Sequence, residues 1–247
     1  MSKDSFFSSY KDNMKEFNQF MLSKHEITSL LGGDTGHMYN NQRVLNSAAK
    51  GNNISVEVPS FDLTLLAPIQ CGAKTDSYLS IGGYASFNTD GIVEQSISVC
   101  IKIRPHTDIE PNISFGTGSI ESSRQHIIRR FHFDIDSNQK RSDRPISHIQ
   151  YGGNIKDSQK GESSYHLISS IDLPRIPSIP LDIIQVMNFV MLQFENNLTK
   201  TFQTPAWRNI VVNNDKIWKK FYFEKLMNSV DKRKTFYEWS CSPITFP

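Results

Sequence analysis

The chain has 247 residues, with 27 Lys and Arg against 25 Asp and Glu and a net charge of +2. That length can bury a substantial core in one large domain, and so balanced a charge argues against nucleic-acid binding driven by bulk electrostatics, leaving only local basic patches. Cys71, Cys100 and Cys241 are widely spaced and odd in number, so neither a disulfide framework nor a zinc site is indicated, and a reducing cytoplasm is the expected setting. The polar N-terminus has no signal-peptide core, and no apolar run approaches the roughly 18–20 residues of a membrane span.

Residues 4–31 read as a helix, because Phe6, Tyr10, Met14, Phe17 and Phe20–Met21 recur at three- and four-residue steps and make an apolar stripe. Gly32–Gly33 is a natural stop. Residues 33–53 are rich in Asn, Gly and Ser, with a short helix expected at Asn41–Lys50. From Ile54 the period changes to two: Ile54, Val56 and Val58 alternate with polar residues, and Phe61, Leu63 and Leu65 follow Pro59, which predicts an edge strand or a bulge at the proline. Tyr78–Phe87 is a second strand with a bend at Gly82–Gly83. The third is the cleanest, with Val93, Gln95, Ile97, Val99, Ile101 and Ile103 facing one way and Glu94 to Arg104 the other. One apolar and one polar face is the pattern of an antiparallel sheet covered by helices on one side. Cys100 falls on the polar face and reads as a bystander thiol. The connection 105–125 holds Gly116-Thr117-Gly118-Ser119, which without a following Lys-Ser/Thr reads as a loop rather than a phosphate cradle.

The stretch Arg129–Gly153 organises the reading. Phe131, Phe133 and Ile135 alternate with His132, Asp134 and Asp136, and further on Ile149 and Tyr151 alternate with His148 and Gln150. Successive strand side chains point to opposite faces, so pairing of the two strands places His132, Asp134, His148 and Gln150 on one face. The same rule puts Ser147 and His148 on opposite faces, which removes a serine–histidine mechanism, and no G-x-S-x-G elbow exists. The joining loop carries Lys140, Arg141 and Arg144. It reads as a solvated tip first and a nucleic-acid contact second, since no aromatic residues interleave the charges. Asp172 to Asp182 contains three prolines and predicts a stiff extended crossing. A long helix is expected from Pro180-Leu181-Asp182 to about Phe202, another from Thr204-Pro205, and a last one capped by Asp215. The aromatic tail from Phe236 to Cys241 is expected to dock onto something.

Three roles compete for the His/Asp face. Imidazoles and carboxylates on a rigid sheet form a candidate divalent-metal site from His132, Asp134 and His148 with Asp136 or Gln150 nearby, suited to Zn²⁺, Mn²⁺ or Mg²⁺ and hydrolysis of a phosphodiester or amide. Metal-free acid/base use needs only part of that set. In the structural role, His148 and Arg175 bond buried backbone and Arg175 clamps Asp134 or Asp136; this role takes the largest share, and no cofactor is required by it.

His132-Phe-Asp-Ile-Asp136, then Pro145-Ile-Ser-His-Ile-Gln-Tyr-Gly-Gly153, then Leu173-Pro-Arg-Ile-Pro177 before a helix, resembles an uncharacterised bacterial domain family associated with phage-defence and mobile-element gene neighbourhoods. The resemblance covers residues 129 to about 195, and it implies a bacterial, multi-protein setting rather than a chemistry. The expectation is a single α+β domain: N-terminal helix and loop (1–53), a mainly antiparallel sheet (54–171), and a proline crossing with a helical part (172–247). The expected function is a protein-interaction or regulatory component of a defence or toxin–antitoxin-like assembly, with the aromatic stripe and tail as docking surfaces. The alternative is a metal-dependent, nuclease-like hydrolase.

Overall fold

A computed structural model describes residues 5–31, 35–48, 52–67, 74–89, 91–110, 120–136, 147–152, 164–165 and 175–223. The architecture is α+β. Strands β1 (Ile54–Thr64), β2 (Thr75–Asn88), β3 (Gly91–Pro105), β4 (His126–Asp136) and β5 (Ser147–Tyr151) pair antiparallel with sequence neighbours. The short β6 (Ser164–Tyr165) pairs parallel with β4, and β7 (Arg175–Pro177) adds antiparallel to β5. Part of the proline-rich stretch is therefore a sheet edge rather than a crossing out of the sheet. Ser178 N–H donates to the Ser147 carbonyl at 3.1 Å. Bonded residues alternate along an antiparallel ladder, so Arg175 and Pro177 turn their backbone groups away from β5. Pro177 has no N–H to offer there, which makes that position a tolerated one and blunts the edge.

The bulge expected at Pro59 is present, as the β1–β2 register shifts between Val58 and Phe61. Gly83 adopts φ 155°, and a Cβ added to it would stand 2.2 Å from the Ser96 carbonyl oxygen. The outer edge of β1 is closed by Asn41, which donates to the Glu57 carbonyl at 2.6 Å and accepts from the Glu57 N–H at 3.1 Å.

Helix boundaries depart further from expectation than strand boundaries do. Residues 6–30 form two helices, α1 (Phe6–Ser23) and α2 (His25–Leu30), separated by extended Lys24. Helix α3 (Thr35–Ser47) starts earlier than its Asn-rich sequence suggests. Helix α4 (Ile183–Gln193) starts at Asp182, whose side chain forms a reciprocal capping box with Gln185, and ends nine residues short of Phe202. Asn196 ends it. Its amide donates to the Phe194 carbonyl at 2.6 Å and its side-chain oxygen accepts from Leu198 N–H at 2.9 Å, a local competitor of the helix ladder. Helix α5 (Pro205–Trp218) starts as expected, but Asp215 lies inside it rather than capping a new one, and the chain continues as a π-turn, Lys219–Phe223.

The aromatic stripe of α1 is core, not docking surface. Phe6, Tyr10, Phe17 and Phe20 are buried; Tyr10 meets Phe87 of β2 edge-to-face at 4.9 Å, and Phe20 packs on Trp207 of α5 at 5.4 Å. Each buried aromatic contributes roughly 2–3 kcal/mol of transfer free energy, so α1 holds the helical layer onto the sheet. The tail from Phe236 to Cys241, the loop carrying Lys140, Arg141 and Arg144, and the Gly116–Ser119 segment lie outside the described residues.

Candidate functional site

The β4–β5 register brings the expected residues together. His132 pairs with Gln150 and Asp134 with His148, while across β3 His132 faces Ser98 and Asp134 faces Ser96. Two neighbouring cross-strand rows result on one face: Tyr84, Ser96, Asp134, His148, and Gly82, Ser98, His132, Gln150. His148 Nε2 lies 3.7 Å from Asp134 Oδ2. That is beyond hydrogen-bond length, so the contact is an ion pair when the imidazole is protonated. His132, His148 and Gln150 are buried, whereas the Asp134 side chain keeps 24% exposure. Asp134 is thus the residue of the cluster that solvent reaches, although its Oδ1 is buried. Among the described residues no group of three or more His, Cys, Asp and Glu side chains is placed to hold a metal ion.

Asp136 sits one row further on, opposite Glu94. Glu94 accepts from the Tyr84 hydroxyl. Burial, then the Glu94 carboxylate, then Asp134 and Asp136 push the Tyr84 phenol above its ordinary range, so it stays a neutral donor at this acidic end. Arg175 pairs through its backbone with Gln150. It belongs to the His132 row rather than that of Asp134, and its side chain lies outside the described residues.

Arg130 is a residue that the sequence reading does not single out, yet it is among the largest fully buried side chains, 1% exposed. It lies on the polar face next to the His132 row, and its Nε donates to Ser98 Oγ at 2.9 Å. Alternation from His132 alone is enough to place it there. Cys100, opposite Arg130, is buried; desolvation raises its thiol against the lowering influence of Ser98, Arg130 and Lys102. Lys102 pairs with Asp62 at 2.9 Å. This face therefore grades from carboxylates at the Glu94–Asp136 end to buried cations at Arg130 and Lys102.

The reverse face of the same strands is apolar and incompletely covered. Phe133 meets Phe189 of α4 at 6.4 Å, Phe131 meets Tyr151 at 5.5 Å, and Ile149 pairs with Ile176 of β7. Tyr151, Ile176, Phe189 and Leu192 are exposed by 38, 55, 47 and 68%. For residues of about 200–250 Å² each, that is about 450 Å² of exposed surface, within the range of a monomer's largest patch. Alternation in β4 and β5 identifies this apolar face but not how little of it the helices cover.

No helix among the described residues is long and apolar enough to cross a membrane. Comparison of the chain with family models, with curated proteins and with solved structures returns no match.

Proposed function

We infer that the chain is a protein-interaction component of a multi-protein assembly, docking through the open apolar face of β4, β5, β7 and α4. The observation that supports this reading is the exposure of Tyr151 and Ile176 on the apolar side of β5 and β7, with Phe189 and Leu192 exposed on α4, beside a well-packed core. Large apolar side chains left in water cost about 1.5–3 kcal/mol each relative to burial, and patches of this size commonly mark partner surfaces. The bacterial defence or toxin–antitoxin-like setting is carried by the resemblance of residues 129–195 alone. The test is recovery of assemblies from the native host with wild type and with Leu192→Glu. The reading expects a complex with wild type that is lost in the variant, and it falls if the wild-type chain is recovered as an isolated monomer.

A second reading, a hydrolase using the His/Asp face, draws support from Asp134 beside His148 with His132 in the next row. Asp134 could orient the His148 imidazole as an acid or base. The metal-dependent form would need His132, Asp134, Asp136 and His148 to close around a divalent ion, since as placed no three of them form a metal-holding group. The test is metal content of the purified protein together with the toxicity of wild type, His132→Ala and His148→Ala. No metal and unchanged toxicity in both variants would sink it.

A further inference from the structure

We propose that the partner of the open apolar face is a second copy of this chain, in a two-fold dimer where α4 of each copy covers the β4–β5–β7 floor of the other. The proposal rests on the interaction reading above and names its partner.

Three observations carry it. First, the patch is built as a ledge beside a floor. Helix α4 packs on the sheet mainly at β2 and meets β4 where Phe189 touches Phe133, and Leu192 projects one turn further along the helix. Beyond β4, no described helix packs extensively on β5 or β7, and Tyr151 and Ile176 of that floor stay exposed. A ledge and a floor side by side are complementary under a two-fold rotation, because each supplies what the other copy's floor or ledge lacks. Second, Tyr151, Ile176, Phe189 and Leu192 together leave about 450 Å² exposed, over half of the about 800 Å² per partner of a standard interface. Half-buried Phe131 and Ile149 adjoin them. Third, the alternative self-association, sheet to sheet through β7, is blocked at Pro177, which has no N–H to give a neighbouring strand. Docking therefore goes through the face and not the edge.

The experiment is sedimentation velocity on the full chain at about 1–100 μM, with Leu192→Glu on the ledge and Ile176→Lys on the floor. Tyr39→Lys, at an exposed position on α3 away from the patch, is the control. The expected result is a dimer for wild type and the control, and at least about 30-fold weaker association for each patch variant, with unchanged far-UV circular dichroism. A mixture of the two patch variants should regain association, since the carboxylate introduced on the ledge of one copy would then oppose the ammonium introduced on the floor of the other. Monomeric wild type throughout, or a dimer indifferent to both substitutions, overturns the proposal. If wild type is monomeric yet binds another host protein and Leu192→Glu does not, the second copy is the wrong partner and the interaction reading survives. If neither self-association nor a partner is found, both fall.

Discussion

Replacing Asp182 with alanine tests how the helical layer is held together. Asp182 is fully buried and receives three donors at 3.0 Å: the Gln185 N–H, the Asn214 amide and the Trp218 indole N–H. Tyr10 of α1 lies close enough for the carboxylate to raise its phenol further, after burial has done most of the lifting. One carboxylate thus ties the start of α4 to α5 and borders α1. Alanine leaves the buried Asn214 and Trp218 donors without an acceptor, at about 1–2 kcal/mol each, and removes the Gln185 N–H cap bond, worth about 1 kcal/mol. Against this, the variant no longer desolvates an acid whose pKa burial raises despite those donors. The net expectation is a loss of about 3 kcal/mol, read in urea as a midpoint lowered by about 1 M with unchanged slope. A shift under about 0.3 M would refute the assignment of Asp182 as the tie. The pH dependence has a definite sign. A folded-state pKa above the unfolded one means that the native state binds the extra proton. That stabilisation is complete below the ordinary carboxylate range and is lost as pH rises through the raised value. Asp182→Asn should lack this slope, so that the wild-type-minus-variant difference in stability falls as pH rises, and parallel curves would show that burial does not raise the acid.

Gly83→Ala forces a Cβ against the Ser96 carbonyl at a φ that side chains avoid; the expected cost is about 2 kcal/mol or more in a urea melt. Deleting residues 1–31 should unfold the chain, with loss of the cooperative transition, because Phe6, Tyr10, Phe17 and Phe20 are core; a deletion that stays folded would contradict their burial. In a Cys71→Ser, Cys241→Ser background, Cys100 should react with Ellman's reagent at least about tenfold more slowly folded than in urea, since burial raises its thiol and removes access. Equal rates would place it at the surface.

The sheet was legible because its signal is local and of period two. Ile54–Val58, Val93–Ile103 and Phe131–Asp136 state their faces by alternation, and opposing His132–Asp134 to His148–Gln150 needs only that the two strands pair in a register that keeps Phe133 and Ile149 on one face. The helices were less legible where side chains compete with the backbone ladder, as Asn196 does at the end of α4. Amphipathic periodicity showed that α1 has an apolar face but not what covers it: Phe87 lies 77 residues from Tyr10 in sequence and 4.9 Å from it in space. The Asp182 tie escaped notice for the same reason. Its cap is readable from Asp182 and Gln185, whereas Asn214 and Trp218 arrive from another helix. Arg130 is the opposite case, a residue whose alternation with His132 was plain but whose burial depends on the packing of the whole face.

The two candidate surfaces are not independent, because they are the two faces of the same strands. A single peptide unit separates Phe133, which meets α4, from Asp134, which meets His148. The register that sets both is pinned at the two ends of β5. Ser178 N–H bonds the Ser147 carbonyl at one end, and Gly152, at φ 83°, donates to the Arg130 carbonyl at the other. A slip of one residue would turn His148 toward α4 and Ile149 into the polar rows. A partner that covers Ile149 and Ile176 binds only the register that also opposes His148 to Asp134, so docking would stabilise that register by mass action. Leu192→Glu should therefore disturb the His148–Asp134 pair only through loss of the partner. If the partner is a second copy, the His148 imidazole resonances at fixed pH would then shift on dilution of wild type and stay unchanged on dilution of the variant.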